Sequence, residues 1–233
     1  MEENGGFATL GHLYQEVPKI KECEWKTKTL FASIRRIVQD ERFFFKIRPG
    51  LWALKSYKNK LPAELIPQKA SVKGREEFNH SYYQGLLLEI GKLKRFETFV
   101  PNQDKNKLFL GKKLGEIATL NEIYPFTYEH ILQKAKTIDV SWFNPRKMPH
   151  WLFEVEHSTD IHNSLLKFSE LQDFYVKFFI VAPSAREREY RDRIGFHVFG
   201  PIQKRTSFMS YEGVSSWHAK TFELSSIEKG FGF

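Results

Sequence analysis

The segments TIDVSWF, residues 137–143, and WLFEVEH, residues 151–157, decide the fold. Both are short and rich in aromatic and β-branched residues, which is typical of buried strands. Pro145 and Pro149 fall between them and break the chain, because proline lacks the backbone N–H that a ladder needs. The pattern predicts a hairpin-like pair of strands.

Three carboxylates interrupt these apolar strands. Glu154 and Glu156 share one face of the second strand because alternate residues point the same way, whereas Phe153 and Val155 face the opposite layer. Asp139 lies on the neighbouring strand. Clustered carboxylates repel one another and are costly to desolvate, so we expect a divalent cation here. A solvent-facing edge strand, with Asp139 capping a helix or pairing with a basic residue, is the alternative.

Composition predicts a folded protein from a reducing compartment. The 233 residues are 41% hydrophobic and 15% aromatic, which is too apolar for a disordered chain. The single Cys23 excludes an internal disulfide and a cysteine-based zinc site. Since neither a signal-peptide pattern nor an apolar run of membrane-spanning length occurs, we expect a cytoplasmic protein without a membrane partner.

Positive charge is concentrated in the first third of the chain. The formal net charge is +8. Residues 1–75 hold 15 Lys and Arg against 8 acids, whereas residues 76–233 hold 21 against 20. A basic module indicates contact with a polyanion, most often nucleic acid. A surface that is basic only for solubility is the alternative.

The basic module predicts two helices and a hairpin. Apolar residues recur on one helical face over residues 7–17 and again over residues 29–40. A β-hairpin follows over residues 42–54, with its turn at Pro49 and Gly50, which suit the first and second central turn positions. Helices followed by a hairpin give the order of a winged helix-turn-helix, whose last helix lies in a DNA groove.

The stretch FASIRRIVQDERFFFKIRPGLWAL, residues 31–54, resembles the end of the HARE-HTH type of winged helix. The resemblance covers residues 7–56 and implies a DNA-binding domain over residues 1–56, although some winged helices bind protein or act as spacers. Residues 57–75 then form a linker to a second domain, residues 76–233. The implied DNA-facing residues are Lys28, Ser33, Arg35 and Arg36, with Lys46 and Arg48 on the wing.

The sequence of the second domain predicts an α/β (α+β) fold with a mixed sheet. A helix over residues 76–94 carries Glu89 on its apolar stripe, where a carboxylate needs a partner. A helix from Asp160 to about residue 174 separates the 151–157 strand from a buried strand, which predicts a parallel crossover. The remaining expected elements are strands at 96–100, 108–110 and 196–199 and helices at 127–135 and 185–194.

The order of these acids and elements resembles the PD-(D/E)XK nuclease superfamily, in its restriction-endonuclease-like branch, over residues 76–200. The resemblance implies catalytic roles for Glu89, Asp139 and Glu154. It implies Mg²⁺, for which Mn²⁺ can substitute, bound by Asp139, Glu154 and the carbonyl of Val155, because hard cations take oxygen ligands.

Glu156 departs from the motif, because it occupies the usual Lys position, which some restriction enzymes of the superfamily also fill with Glu or Gln. It could act as the general base or hold a second ion. His157 could be a proton shuttle and Lys167 a substitute for the missing Lys. The alternative is that both are ordinary polar residues.

These expectations describe a Mg²⁺-dependent endonuclease that hydrolyses double-stranded DNA, a restriction enzyme of type II. A homodimer is expected, and a cognate DNA methyltransferase is a further partner to consider. The alternatives are a non-catalytic DNA-binding or regulatory protein with a degenerate nuclease fold, and a nuclease for RNA or for damaged or branched DNA.

Overall fold

The computed structural model describes residues 1–20, 29–62, 65 and 72–230, and the chain divides into two compact units. One unit is Met1–Arg75 together with Ser215–Phe233, and the other is Glu76–Val214. The sequence assigned the C-terminal residues to the second domain, whereas the division assigns them to the first unit.

A three-stranded antiparallel sheet and short helices build the first unit. In chain order the elements are β1 (Phe7–Thr9), α1 (Leu10–Glu16), α2 (Leu30–Val38), β2 (Phe44–Arg48) and β3 (Leu51–Leu54). The strand order is β1-β3-β2. The expected hairpin is confirmed as β2 and β3, and its turn residue Gly50 has φ +75°, a left-handed conformation that glycine adopts without steric cost.

The second unit contains the longer helices and a mixed sheet. Its elements are α3 (Val72–Leu93, which begins before the boundary), β4 (Glu97–Phe99), β5 (Leu108–Phe109), β6 (Lys112–Lys113), α4 (Leu114–Ile117), α5 (Glu129–Ala135), β7 (Val140–Phe143), β8 (Pro149–Val155), α6 (Ile161–Ser169), β9 (Lys177–Ala182), α7 (Glu187–Ile194), α8 (Gly200–Gln203), β10 (Thr206–Ser210) and α9 (Tyr211–Gly230, which ends beyond the boundary).

The five-stranded sheet has the order β10-β9-β8-β7-β4. The predicted hairpin is confirmed as the antiparallel pair β7 and β8, in which Val140 lies opposite Phe153. The predicted crossover is also confirmed, because β8 and β9 are parallel and α6 connects them. β9 is buried along nearly its whole length, as expected of a central parallel strand with both faces covered.

The strand expected at residues 196–199 is wrong. Residues His197–Phe199 form a 3₁₀ turn, and the edge strand that pairs in parallel with β9 is β10. The short apolar run at 196–199 lies between Gly195 and Gly200 and is too brief to indicate a strand by itself. The β10 sequence TSFMS is mixed in polarity because it lies at the sheet edge, so it gives no buried-strand pattern.

The C-terminal helix α9 was not predicted from the sequence. Its contacts explain why residues after Val214 belong to the first unit. Ala219 lies in a core cluster with Leu13 and Tyr14. A Cβ at Gly11 would lie 2.7 Å from the His218 ring, so only glycine allows this close approach of α1 and α9.

No helix of the described ranges is long and apolar enough to cross a membrane.

Candidate active site

One face of β8 changes from apolar to acidic along the strand. Leu152, Glu154 and Glu156 alternate onto the face covered by α6, where Leu152 shares a buried cluster with Leu165. The opposite face carries Phe153, whose ring stacks on Phe179. The predicted division of faces is confirmed, and α6 is the element against which both glutamates lie.

Glu154 is 1% exposed, and only one of its two carboxylate oxygens has a hydrogen-bond partner among the described residues. Its Oε2 accepts a hydrogen bond from Lys167 Nζ at 2.7 Å and lies 3.1 Å from Ser164 Oγ. Its Oε1 is buried and has no hydrogen-bond partner among the described residues. Burial, reinforced by the charge of Asp139, raises the pKa of Glu154 well above its usual value. A buried oxygen of this kind is a natural ligand for a cation.

Asp139, which directly precedes β7, bridges a strand and a helix. Its Oδ2 accepts the backbone N–H of Val155 at 2.7 Å and lies 3.1 Å from Nε2 of His80 on α3. Burial raises the pKa of Asp139, although His80 and the Val155 N–H oppose that rise. Asp139 therefore lies beside the backbone of Val155.

Glu156 is buried and held by two hydroxyl donors. Ser164 Oγ donates to Oε1 and Thr159 Oγ1 donates to Oε2, and its backbone N–H donates to the carbonyl of Val181 at 2.7 Å. Burial raises the pKa of Glu156 to about 7, against the opposing hydrogen bond from Ser164. A carboxyl group with such a pKa exchanges a proton near neutral pH, which general base catalysis requires.

Lys167 lies one helical turn beyond Ser164 on α6 and directs its ammonium at Glu154. Burial lowers the pKa of Lys167, but the charge and hydrogen bond of Glu154 outweigh this effect, so its pKa is raised and the side chain stays charged. Nζ also lies 3.4 Å from the carbonyl of Thr137. The structure thus brings together Asp139, Glu154, Glu156 and Lys167, of which the last was only an alternative in the sequence.

Helix α3 contributes polar residues that sequence reasoning missed. The amide nitrogen of Gln84 donates to Asp104 Oδ2 at 2.8 Å and to the Asp139 carbonyl at 3.1 Å. One ligand atom each from His80, Asp104 and Asp139 lies within 4.8 Å of the others, so these three can hold a metal ion. His80 and Gln84 are four residues apart on α3 and therefore lie on one face of the helix, and this spacing was the signal available in the sequence.

Glu89 belongs to the same helix but to a different part of it. It lies nine residues beyond His80, which corresponds to about 13 Å along the axis and to roughly the opposite face at 3.6 residues per turn. The side chain is half-buried. Of the α3 residues, His80 and Gln84 reach Asp139, and the structure does not bring Glu89 to that group.

His157 follows Glu156 but points toward α3 and α9. Its ring lies 3.4 Å from the Asn79 amide nitrogen and 3.4 Å from the Tyr211 hydroxyl, and it is nearly parallel to the Tyr211 ring, which in turn stacks on Tyr83. These contacts make His157 part of an aromatic cluster beside the carboxylates.

The residues expected to face DNA lie in the first unit. Arg36 and Lys46 are exposed, while Ser33 and Arg48 are half-buried. Lys28 lies outside the described residues. Arg35 is engaged within the unit, because its Nε donates to the Tyr14 hydroxyl at 3.2 Å and its Nη2 lies 3.6 Å from Glu223.

Comparisons with known proteins identify the family. The family described as the type II restriction enzyme NmeDI C-terminal domain matches residues 60–231. The type II restriction enzyme NmeDI of Neisseria meningitidis serogroup C is 26% identical over 152 residues, covering 60% of this chain and 42% of the relative, so the chain matches less than half the length of that relative. No solved structure matches. Because the family match covers most of the chain, the protein belongs to the family of the type II restriction enzyme NmeDI C-terminal domain.

Proposed function

We propose that the chain is a metal-dependent endonuclease of the type II restriction class that hydrolyses double-stranded DNA. The observation that carries the proposal is the buried group of Asp139, Glu154 and Glu156 with the Lys167 ammonium 2.7 Å from Glu154. The family of a restriction enzyme domain supports the same reaction class.

The donor set fits Mg²⁺, with Mn²⁺ able to substitute. Asp139 and Glu154 would hold the ion together with the carbonyl of Val155. The buried Oε1 of Glu154, which has no hydrogen-bond partner among the described residues, supports a cation there. When bound, the ion supplies charge neutralisation at the phosphate and a more acidic water.

Lys167 takes the role of the lysine that the strand motif lacks. A lysine in such a site supplies a fixed positive charge beside the reacting phosphate. In the PD-(D/E)XK motif that the sequence resembles, that lysine follows the strand acid by two residues, where this chain has Glu156. Here α6 brings an ammonium to the same carboxylate from thirteen residues along the chain.

Glu156 acts as the general base. Its pKa of about 7 lets the carboxylate accept the proton of the attacking water at neutral pH. The hydroxyl groups of Ser164 and Thr159 fix its orientation, so that the carboxylate stays in place while its charge changes.

The first unit acts as a winged helix that holds the duplex. Its exposed cations Arg36 and Lys46, and the excess of basic residues over residues 1–75, support contact with phosphates. Cutting both strands of a duplex requires two active sites or two binding events, and a homodimer supplies two sites.

The test is cleavage of phage DNA by the purified chain with Mg²⁺, compared with RNA and branched DNA. Discrete duplex fragments that disappear with EDTA and with Glu154→Gln, but persist with the surface control Glu170→Gln, are the expected result. Duplex binding with no cleavage in Mg²⁺ or Mn²⁺ would instead establish a non-catalytic DNA-binding protein.

A further inference from the structure

A second group of metal ligands surrounds Asp139 on the side of α3. We propose that His80, Asp104 and Asp139 form a separate cation site that takes a first-row transition metal such as Mn²⁺ or Co²⁺ in preference to Mg²⁺. The inference rests on the proposed function in one respect, because Asp139 would be shared with the Mg²⁺ site.

The spacing of the three side chains suits a single ion. His80 Nε2 lies 3.1 Å from Asp139 Oδ2, and all three ligand atoms lie within 4.8 Å of one another. Ligands at about 2.0–2.2 Å from an ion lie up to about 4.4 Å apart. Only a slight closure of the group is therefore needed to bring all three onto one cation.

Burial and charge favour a cation at this position. Asp104 is 1% exposed and Asp139 is 6% exposed, and Glu154 adds a third buried carboxyl group nearby. The neighbouring cations are Lys107, whose Nζ lies 2.6 Å from Asp104 Oδ1, and Lys167 on Glu154. Two ammonium groups therefore face three buried carboxyl groups, and each of the two is paired with an acid other than Asp139.

An unsatisfied amide oxygen provides an independent indication. Gln84 is fully buried, and its nitrogen contacts Asp104 and the Asp139 carbonyl. The oxygen of the same amide group has no hydrogen-bond partner among the described residues. A buried acceptor is unfavourable unless a donor, a water molecule or a cation satisfies it. A hydrated ion held by His80 and Asp104 would supply that missing donor.

The imidazole of His80 determines which metal the site takes. Mg²⁺ favours oxygen ligands, whereas imidazole binds first-row transition metals well. The pair of Asp139 and Glu154 offers only oxygen atoms and suits Mg²⁺. The two positions around Asp139 therefore differ in metal selectivity. In a mixture of metals, Mg²⁺ would bind beside Glu154 and the transition metal beside His80.

Cobalt binding tests the site without any cleavage assay. The wild-type chain is titrated with Co²⁺ in saturating Mg²⁺, with calorimetry and visible absorption as readouts. One Co²⁺ per chain should remain bound, and His80→Gln should weaken its binding at least about tenfold. The control His130→Gln removes an exposed histidine of α5 and should leave Co²⁺ binding unchanged. Equal affinity in wild type and His80→Gln would overturn the inference.

A second variant should change affinity in the opposite direction. Lys107→Gln removes the positive charge beside Asp104, so Co²⁺ should bind more tightly, whereas Lys112→Gln on β6 carries the same charge change and should have no effect. Weaker binding in Lys107→Gln would overturn the inference. Cobalt binding that depends on His80 in a chain that cleaves no DNA would uphold this site and refute the proposed function, while the reverse combination would refute this site alone.

Discussion

Lys167 Nζ lies 2.7 Å from Glu154 Oε2, so a cation from helix α6 reaches the buried acid of strand β8. Removing one partner of a buried pair leaves the other uncompensated. This pair therefore connects the charge balance of the site with the position of α6, and Lys167 is the first residue to test.

Lys167→Met should reduce DNA cleavage by roughly 10²–10⁴-fold, the range typical for loss of an electrostatic or acid–base group. Duplex affinity should stay within about twofold, because the substituted residue lies outside the basic first unit. Single-turnover cleavage and a gel-shift titration measure the two quantities, with the exposed Lys204→Met as control. Full activity in Lys167→Met would remove Lys167 from the mechanism.

Glu154→Gln should abolish cleavage and remove the response of the chain to Mg²⁺. The amide keeps the shape of the side chain but removes the carboxylate that would bind the ion. The midpoint of thermal unfolding should therefore stay unchanged when Mg²⁺ is added, whereas that of the wild type should rise. A variant that is still stabilised by Mg²⁺ to the same extent would show that Glu154 is not a ligand.

Glu156→Gln should lower single-turnover cleavage by roughly 10²–10⁴-fold if Glu156 is the base. Glu156→Lys restores the strand motif on paper but should also be inactive, because Lys167 already supplies a cation and a second ammonium would compete with the metal for Glu154. Cleavage by Glu156→Gln at the wild-type rate would show that a group other than Glu156 accepts the proton of the attacking water.

The stability of the metal-free chain should fall as pH rises from about 4.5 to about 7. The pKa of Glu156 is raised from 4.5 in the unfolded chain to about 7 in the folded one. The folded state therefore holds the proton more tightly, and this contribution is complete below pH 4.5 and lost as pH passes the folded value. The loss is on the order of 3 kcal/mol.

Urea unfolding at several pH values in EDTA measures this dependence. Glu156→Gln should make the fall in stability shallower, whereas Glu170→Gln, which changes an exposed side chain, should follow the wild type. A wild-type curve that is already flat between pH 4.5 and 7 would contradict the assigned pKa.

Arg36→Ala together with Lys46→Ala should weaken duplex binding and reduce its salt dependence, because each exposed cation that meets a phosphate releases a counterion. The metal requirement for cleavage should not change. Filter binding across a salt series is the measurement, and the exposed Lys58→Ala is the matched control. Unchanged binding by the double variant would assign another role to the first unit.

Local patterns predicted the acidic strand well. Alternation along β8 is a property of the strand itself, so Glu154 and Glu156 could be assigned to one face without knowing what covers it. Strand β9 could be predicted as the parallel neighbour of β8, because it is a continuous apolar run and a helix, α6, connects the two strands in a crossover. These features depend on residues close together in the chain.

The contributions of His80, Gln84 and Asp104 could not be predicted in the same way. They meet Asp139 only because α3 packs beside the sheet and a turn brings in Asp104, and such contacts join residues 20 to 59 positions apart in the chain. Glu89 fits the apolar stripe of the helix, whereas His80 and Gln84, one turn apart on another face, reach the site. Edge strand β10 and helix α9 could not be predicted for a related reason. Their sequences show no periodic pattern of buried residues, and tertiary contacts determine their structure.

The raised pKa values of Asp139, Glu154 and Glu156 have a consequence for how the protein acquires its ion. Carboxyl groups with raised pKa values hold their protons more tightly, and they must give up any proton they hold when they become metal ligands. Loading the site is therefore an exchange of protons for a cation. A fall in pH would empty the site by the same equilibrium that fills it, which links metal occupancy to the acidity of the surroundings.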